Sequence, residues 1–153
     1  MARARQLTAA HAFRHAATMQ LPTPSVALYK EDMGKRVLVV EDDEDNRRIV
    51  TKILSLDGFD VAEAVDGQQA LAMAGDWHPD LILLDLGLPG LNGWEVAKRL
   101  KADPSLRSIP TVALTAFAMR GDEEQARAAG CDDYLPKPAR PAEIREIVRK
   151  HLP

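Results

Sequence analysis

From Lys35 onward, short apolar runs alternate with longer stretches in which apolar residues recur at helical spacing. Val37-Leu38-Val39-Val40 and Leu81-Ile82-Leu83-Leu84 are too short for helices, and Pro79 bounds the second upstream. Such continuous runs read as strands buried on both faces, as in a parallel sheet. The pattern predicts strands over Arg36–Val40, Asp60–Ala64, Leu81–Asp85, Thr111–Thr115 and Asp133–Leu135. Between them it predicts five helices. Asp45–Leu56 carries Ile49, Val50, Ile53 and Leu54 on one face and stops at Gly58. Asp66–Trp77 is rich in Ala and ends near Pro79. Asn92–Lys101 has Asn92 as its N-cap and stops before Pro104. Asp122–Ala129 is short and ends at Gly130, and Pro141–His151 places Pro141 in its first turn. Strict strand–helix alternation implies an α/β fold, a doubly wound five-stranded parallel sheet with right-handed crossovers and helices on both faces.

Residues 1–34 break the pattern. They contain Arg3, Arg5 and Arg14, no acid before Glu31, and the interruption Leu21-Pro22-Thr23-Pro24. They lack the apolar core of a secretory signal and match an organellar transit peptide only in being poor in acids. They are expected to be a disordered N-terminal extension, with Met33 as an alternative start, leaving residues 35–153 as one domain. At 153 residues the chain suits one domain with a proper core.

Charge narrows the partners. The extension has four basic and two acidic groups, net +2, so the remainder carries −5 of the chain's −3 total. A domain of that sign is a poor unaided nucleic-acid binder, because such binding rests on neutralising phosphates. No apolar run approaches the ~20 residues that a membrane span needs. The single cysteine, Cys131, excludes an internal disulfide and fits a reducing, cytoplasmic compartment. It is expected to be a small packing residue.

The chemistry gathers at strand ends. Glu41 and Asp42 follow the first strand, and Asp85 ends the third and opens the loop Gly87-Leu88-Pro89-Gly90. The fourth strand ends in Thr115, followed by Ala116, and the fifth leads into Leu135-Pro136-Lys137-Pro138. Open α/β sheets bind ligands beyond the carboxyl ends of their strands. An acidic pocket there repels itself unless a hard divalent cation occupies it. Three carboxylates, a hydroxyl and an ammonium at one sheet edge suit phosphoryl transfer: acids hold Mg²⁺, and the metal and lysine neutralise phosphoryl oxygens. An aspartate can itself be the nucleophile, giving an acyl phosphate.

Each residue also has a plainer explanation. Glu41 and Asp42 could serve a helix dipole, Asp85 could cap its turn, Thr115 could pack, and Lys137 could be a solvated edge charge. Taken together, each at the end of its own strand, they fit coincidence poorly.

From Lys35 to Pro153 the chain resembles the receiver domain of two-component response regulators. The matching stretches are Val37-Leu38-Val39-Val40-Glu41-Asp42-Asp43, Asp85-Leu86-Gly87-Leu88-Pro89-Gly90-Leu91-Asn92-Gly93, Ala113-Leu114-Thr115-Ala116 and Tyr134-Leu135-Pro136-Lys137-Pro138. The stretch from Thr115 to Glu124 is similar to stand-alone, DivK-like receivers of bacterial cell-cycle and developmental signalling. The resemblance implies the flavodoxin-like, CheY-like strand order 2-1-3-4-5. It implies that Asp85 accepts a phosphoryl group from a phosphohistidine of a histidine kinase or histidine phosphotransferase. Asp42, Asp85 and the backbone carbonyl of Gly87 would ligate Mg²⁺, with Glu41 acting through water. Thr115, Ala116 and Lys137 would hold the phosphoryl group, and Tyr134 would swing inward when Thr115 is drawn to it. The Lys137–Pro138 bond is expected to be cis. Phosphorylation adds roughly −1.5 to −2 charge, enough to bias a two-state loop.

Two departures and one oddity accompany the resemblance. Gly87 has no side chain to orient a hydrolytic water, and Phe117 can shield the phosphoryl group, so slow self-dephosphorylation is expected. Pro136 removes a backbone donor from the last strand, which an edge position tolerates. The last helix uses most of the residues after Lys137, so output is expected through a protein contact at the fourth helix, last strand and fifth helix. A phosphorelay intermediate, or a binding module insensitive to phosphorylation, stays open. An aspartyl-phosphate phosphatase would need a second acid two residues after Asp85, where Gly87 stands. His11, His15, His78 and His151 form no metal spacing with Cys131, and no Gly-rich phosphate loop for ATP is present.

Overall fold

A computed structural model describes residues 34–116 and 121–153. The extension expected over residues 1–34 lies outside these except for Gly34, as does Phe117. Among the described residues, β1 (Arg36–Val40) leads to α1 (Glu44–Leu56), β2 (Asp60–Ala64) to α2 (Gly67–Trp77), and β3 (Leu81–Asp85) to α3 (Gly93–Ala102). Then β4 (Thr111–Thr115) leads to α4 (Asp122–Ala128), and β5 (Asp133–Pro136) to α5 (Pro141–His151). Every strand pairing is parallel, in the order β2-β1-β3-β4-β5, as the resemblance implies. The order reverses between β1 and β3, which opens a crevice at their carboxyl ends.

Alternate residues of each central strand feed opposite cores. Leu38, Val40, Ile82, Leu84 and Ala113 pack with Ala70, Met73 and Trp77 of α2 and Val96 and Leu100 of α3. Val37, Val39, Leu81, Leu83, Val112 and Leu114 pack with Ile53 and Leu54 of α1 and Ile144 and Val148 of α5. This two-sided burial explains why those strands read as unbroken apolar runs. Emptying one such site, as in Leu83→Ala, costs about 2–5 kcal/mol.

Element ends differ from the sequence reading by single residues, for a common reason. Asp66 and Asn92 sit just before their helices in extended backbone, and their side chains accept from the Gln69 and Glu95 amides at 2.8 and 3.0 Å. Asp43 does the same for α1, accepting from Asn46 at 2.9 Å, so the helix starts at Glu44. Pro136 extends β5 by one residue. It stands opposite Thr115 on an edge strand, where its missing N–H is harmless. The Lys137–Pro138 bond is cis, as expected. Cys131 is buried among apolar side chains, and burial pushes its thiol up to about 11.

Candidate functional site

The β1–α1 loop carries Glu41 and Asp42. Glu41 is 3% exposed, and its amide donates to Ala64 O on β2 at 3.1 Å, which continues the ladder beyond β1. Asp42 faces solvent. Asp85, 4% exposed, closes β3 at the neighbouring position. Oxygens of Glu41, Asp42 and Asp85 all lie within 4.8 Å of one another.

Lys137 arrives from the edge strand. Its amide donates to Thr115 O at 2.7 Å, which aims the side chain back across β4. Its ammonium stands 2.9 Å from Glu41 Oε1 and 3.4 Å from Asp85 Oδ2. The solvated-edge reading of this lysine is therefore wrong: its stem reaches inward over the sheet, and its head is held between two buried acids. Asp85 does cap its turn, as its plainer reading supposes, because Gly87 donates its amide to Asp85 Oδ1 at 3.0 Å. Capping uses one oxygen and leaves the other facing Lys137. Glu41 and Asp42 do not serve the helix dipole; Asp43, Glu44 and Asp45 take those positions. Thr115 is buried at the end of β4, and Ala116 beside it is exposed. Tyr134 is half-buried against the core layer beneath α4. Burial and the charges of Asp122 and Glu123 push its phenol up.

The electrostatics are those of a site short of positive charge. Burial pushes the Glu41 carboxyl up, and Asp85 adds to this; the hydrogen bond from Lys137 only partly offsets them. Burial pulls the Lys137 ammonium down, but Glu41 and Asp85 outweigh it and hold it above its ordinary value. Three carboxylates against one ammonium leave two negative charges uncompensated. The donor set is all oxygen, and the missing charge is that of one hard divalent cation, so these residues fit Mg²⁺. Gly87 is exposed, and an added Cβ there would stand 3.7 Å from Asp85 Oδ1. Gly93 is different: any Cβ would collide with Asp85 O and Leu86 Cα, so the loop after β3 needs glycine to fold back.

Sequence reasoning passed over Arg47 and Glu63. Arg47, at the start of α1, donates to Glu41 O at 3.0 Å and approaches Glu63 Oε1 at 3.4 Å. A signal was present: a cation near a helix N-terminus opposes the helix dipole and calls for a local reason.

Residues 37–149 match the family model of the response regulator receiver domain. A polar-differentiation response regulator DivK from Brucella ovis is 42% identical over 120 residues, covering 78% of this chain and 98% of that protein. The receiver domain of the sensor histidine kinase PA1611 from Pseudomonas aeruginosa, solved with magnesium coordinated in its active-site cleft, superposes with a TM-score of 0.73 at 36% identity. That match covers 78% of this chain and 98% of the other. The chemotaxis response regulator CheY4 of Vibrio cholerae gives a TM-score of 0.74 at 27% identity, covering 77% of this chain and 98% of that one.

Proposed function

Because the chain belongs to the response regulator receiver family, we propose that it is a phosphorylation switch whose phosphoacceptor is Asp85. The observation that carries this is the ammonium of Lys137 set between Glu41 and Asp85, with Asp42 in the same cluster. An Asp85 oxygen attacks the phosphorus of a phosphohistidine on a histidine kinase or phosphotransferase. The P–N bond breaks as the P–O bond forms, and the imidazole leaves with its electron pair and takes up a proton. Asp42, Asp85 and the Gly87 carbonyl would hold Mg²⁺, with Glu41 acting through water, and the ion would supply charge to neutralise phosphoryl oxygens. Lys137 leaves its contact with Glu41 for a phosphoryl oxygen, and Thr115 and the Ala116 amide take the others. Drawing Thr115 inward frees space for Tyr134, which alters the face formed by α4, β5 and α5. Ala126 is the buried residue within α4, so that helix is lightly anchored and can respond. A downstream protein in the cytoplasm reads that face.

The test is intact-protein mass after incubation with acetyl phosphate, with and without Mg²⁺, on wild type and Asp85→Asn. A gain of one phosphoryl group that needs both Mg²⁺ and Asp85 is expected. No gain in folded wild type would discard the switch in favour of a phosphorylation-independent binding module.

A further inference from the structure

We propose that Arg47, braced by Glu63, is a positioning residue that sets the Mg²⁺ affinity of the acidic site. The inference rests on the functional reading above and concerns how the exposed ligand is held. Among the described residues, none donates to the Asp42 carboxylate or pairs with it. A ligand without partners of its own can be aimed only through its backbone.

That backbone is clamped from one side. The Arg47 guanidinium donates to Glu41 O at 3.0 Å and stands 3.5 Å from Asp42 O, the carbonyls of the first two of the loop's three acids. Its Nε is 3.4 Å from Glu63 Oε1 on β2. Both side chains are mostly covered, 14% and 25% exposed. Glu63 is paired in register with Val39, two residues before Glu41, so the brace stands on the same ladder that carries the loop.

The clamp spans three elements: helix α1, the β1–α1 loop and strand β2. Arg47 reaches the two carbonyls with one nitrogen of a rigid planar fork and the Glu63 carboxylate with another, a fixed spread of donors that the single nitrogen of a lysine lacks. Charge alone argues the opposite effect. A guanidinium near a cation site repels the cation, so deleting it should tighten Mg²⁺ binding. The sign of the change therefore separates positioning from plain electrostatics.

The experiment is a Mg²⁺ titration followed by amide NMR shifts, at one ionic strength, on full-length wild type, Arg47→Ala, Arg47→Lys and Glu63→Gln. Metal-free melting temperatures are taken on the same samples. Loss of an outer-shell support typically weakens metal binding about 10–100-fold. Arg47→Ala is expected to raise the Mg²⁺ Kd at least about tenfold on that scale. Arg47→Lys should recover little of it, and Glu63→Gln should show a smaller loss of the same sign. An unchanged or tightened Kd in Arg47→Ala overturns the proposal, even if the melting temperature falls, because that is the mark of a merely structural role. Full rescue by lysine overturns the guanidinium clamp, because one ammonium then holds the loop as well as the fork does. Should Arg47→Ala fail to fold, Arg47→Lys decides, because it keeps the charge: a raised Mg²⁺ Kd supports positioning and an unchanged one overturns it. Wild type that binds no Mg²⁺ would instead overturn the functional reading on which the proposal stands.

Discussion

Lys137 Nζ lies 2.9 Å from Glu41 Oε1, closer than its 3.4 Å approach to Asp85 Oδ2. The pair joins residues 96 positions apart and ties the edge strand to the centre of the sheet. Its removal should be felt first as a pH effect. Lys137→Met leaves buried Glu41 facing Asp85 without the hydrogen bond that lowers it. Leaving a buried acceptor unpaired costs roughly 1–3 kcal/mol, more for a charged group. Glu41 already has a folded-state value above its ordinary 4.5, so its protonation favours the fold; stability is full below that ordinary value and lost as pH rises through the raised one. Thermal melts of metal-free Lys137→Met should show a deficit at neutral pH that shrinks on acidification. A deficit independent of pH would contradict this account.

Asp42 is exposed and unpaired among the described residues, so it adds repulsion and little support to the metal-free protein. Asp42→Asn should therefore leave the metal-free melting temperature unchanged or slightly raised. In wild type, Mg²⁺ at a hundred times its Kd should stabilise by about 2.7 kcal/mol, and Asp42→Asn should lose most of that gain. Equal Mg²⁺ stabilisation of both proteins would remove Asp42 from the ligand set.

Gly87 leaves the approach to Asp85 open. A side chain there can extend over the carboxylate without displacing its neighbours, since the added Cβ meets only Asp85 Oδ1 at ordinary contact distance. Gly87→Asn should shorten the lifetime of the acyl phosphate, by orienting a water toward it. Loss of the phosphoryl mass over time, after removal of the donor, measures this. A variant that decays no faster than wild type would sink the idea.

Asp133, at the start of β5, is bound by Lys150 at 2.9 Å and His151 at 3.0 Å. Burial pushes its carboxyl up, but those two partners and the Tyr134 amide outweigh it and hold it at about 2. Its stabilising effect is present above the ordinary 3.8 and lost as pH falls toward about 2. Acid unfolding of wild type should steepen in that window, and Asp133→Asn should be less stable at neutral pH yet flatter below it. Parallel acid-unfolding curves would count against this role.

The fold was legible because its strands are buried on both faces. Val37–Val40 and Leu81–Leu84 have no polar alternative, so their apolar runs admit one reading, and caps such as Asn92 mark helix starts locally. The site was legible as a set of residue types at strand ends: Glu41, Asp42, Asp85, Thr115 and Lys137. What each does to its neighbours was not. Lys137 alone reads as a solvated edge lysine, and only the crossing from β5 over β4 to β1 brings its ammonium to Glu41.

The sequence by itself thus determined the alternation of strand and helix and the positions where chemistry sits, because burial and capping are written in near neighbours. The tertiary structure decided which charges meet. Arg47 carries no evident role until β2 places Glu63 beside it, and Asp42 reads like Glu41 until one is exposed and the other buried. Pairing between distant side chains depends on strand order and register, and those arise only when the whole sheet is assembled.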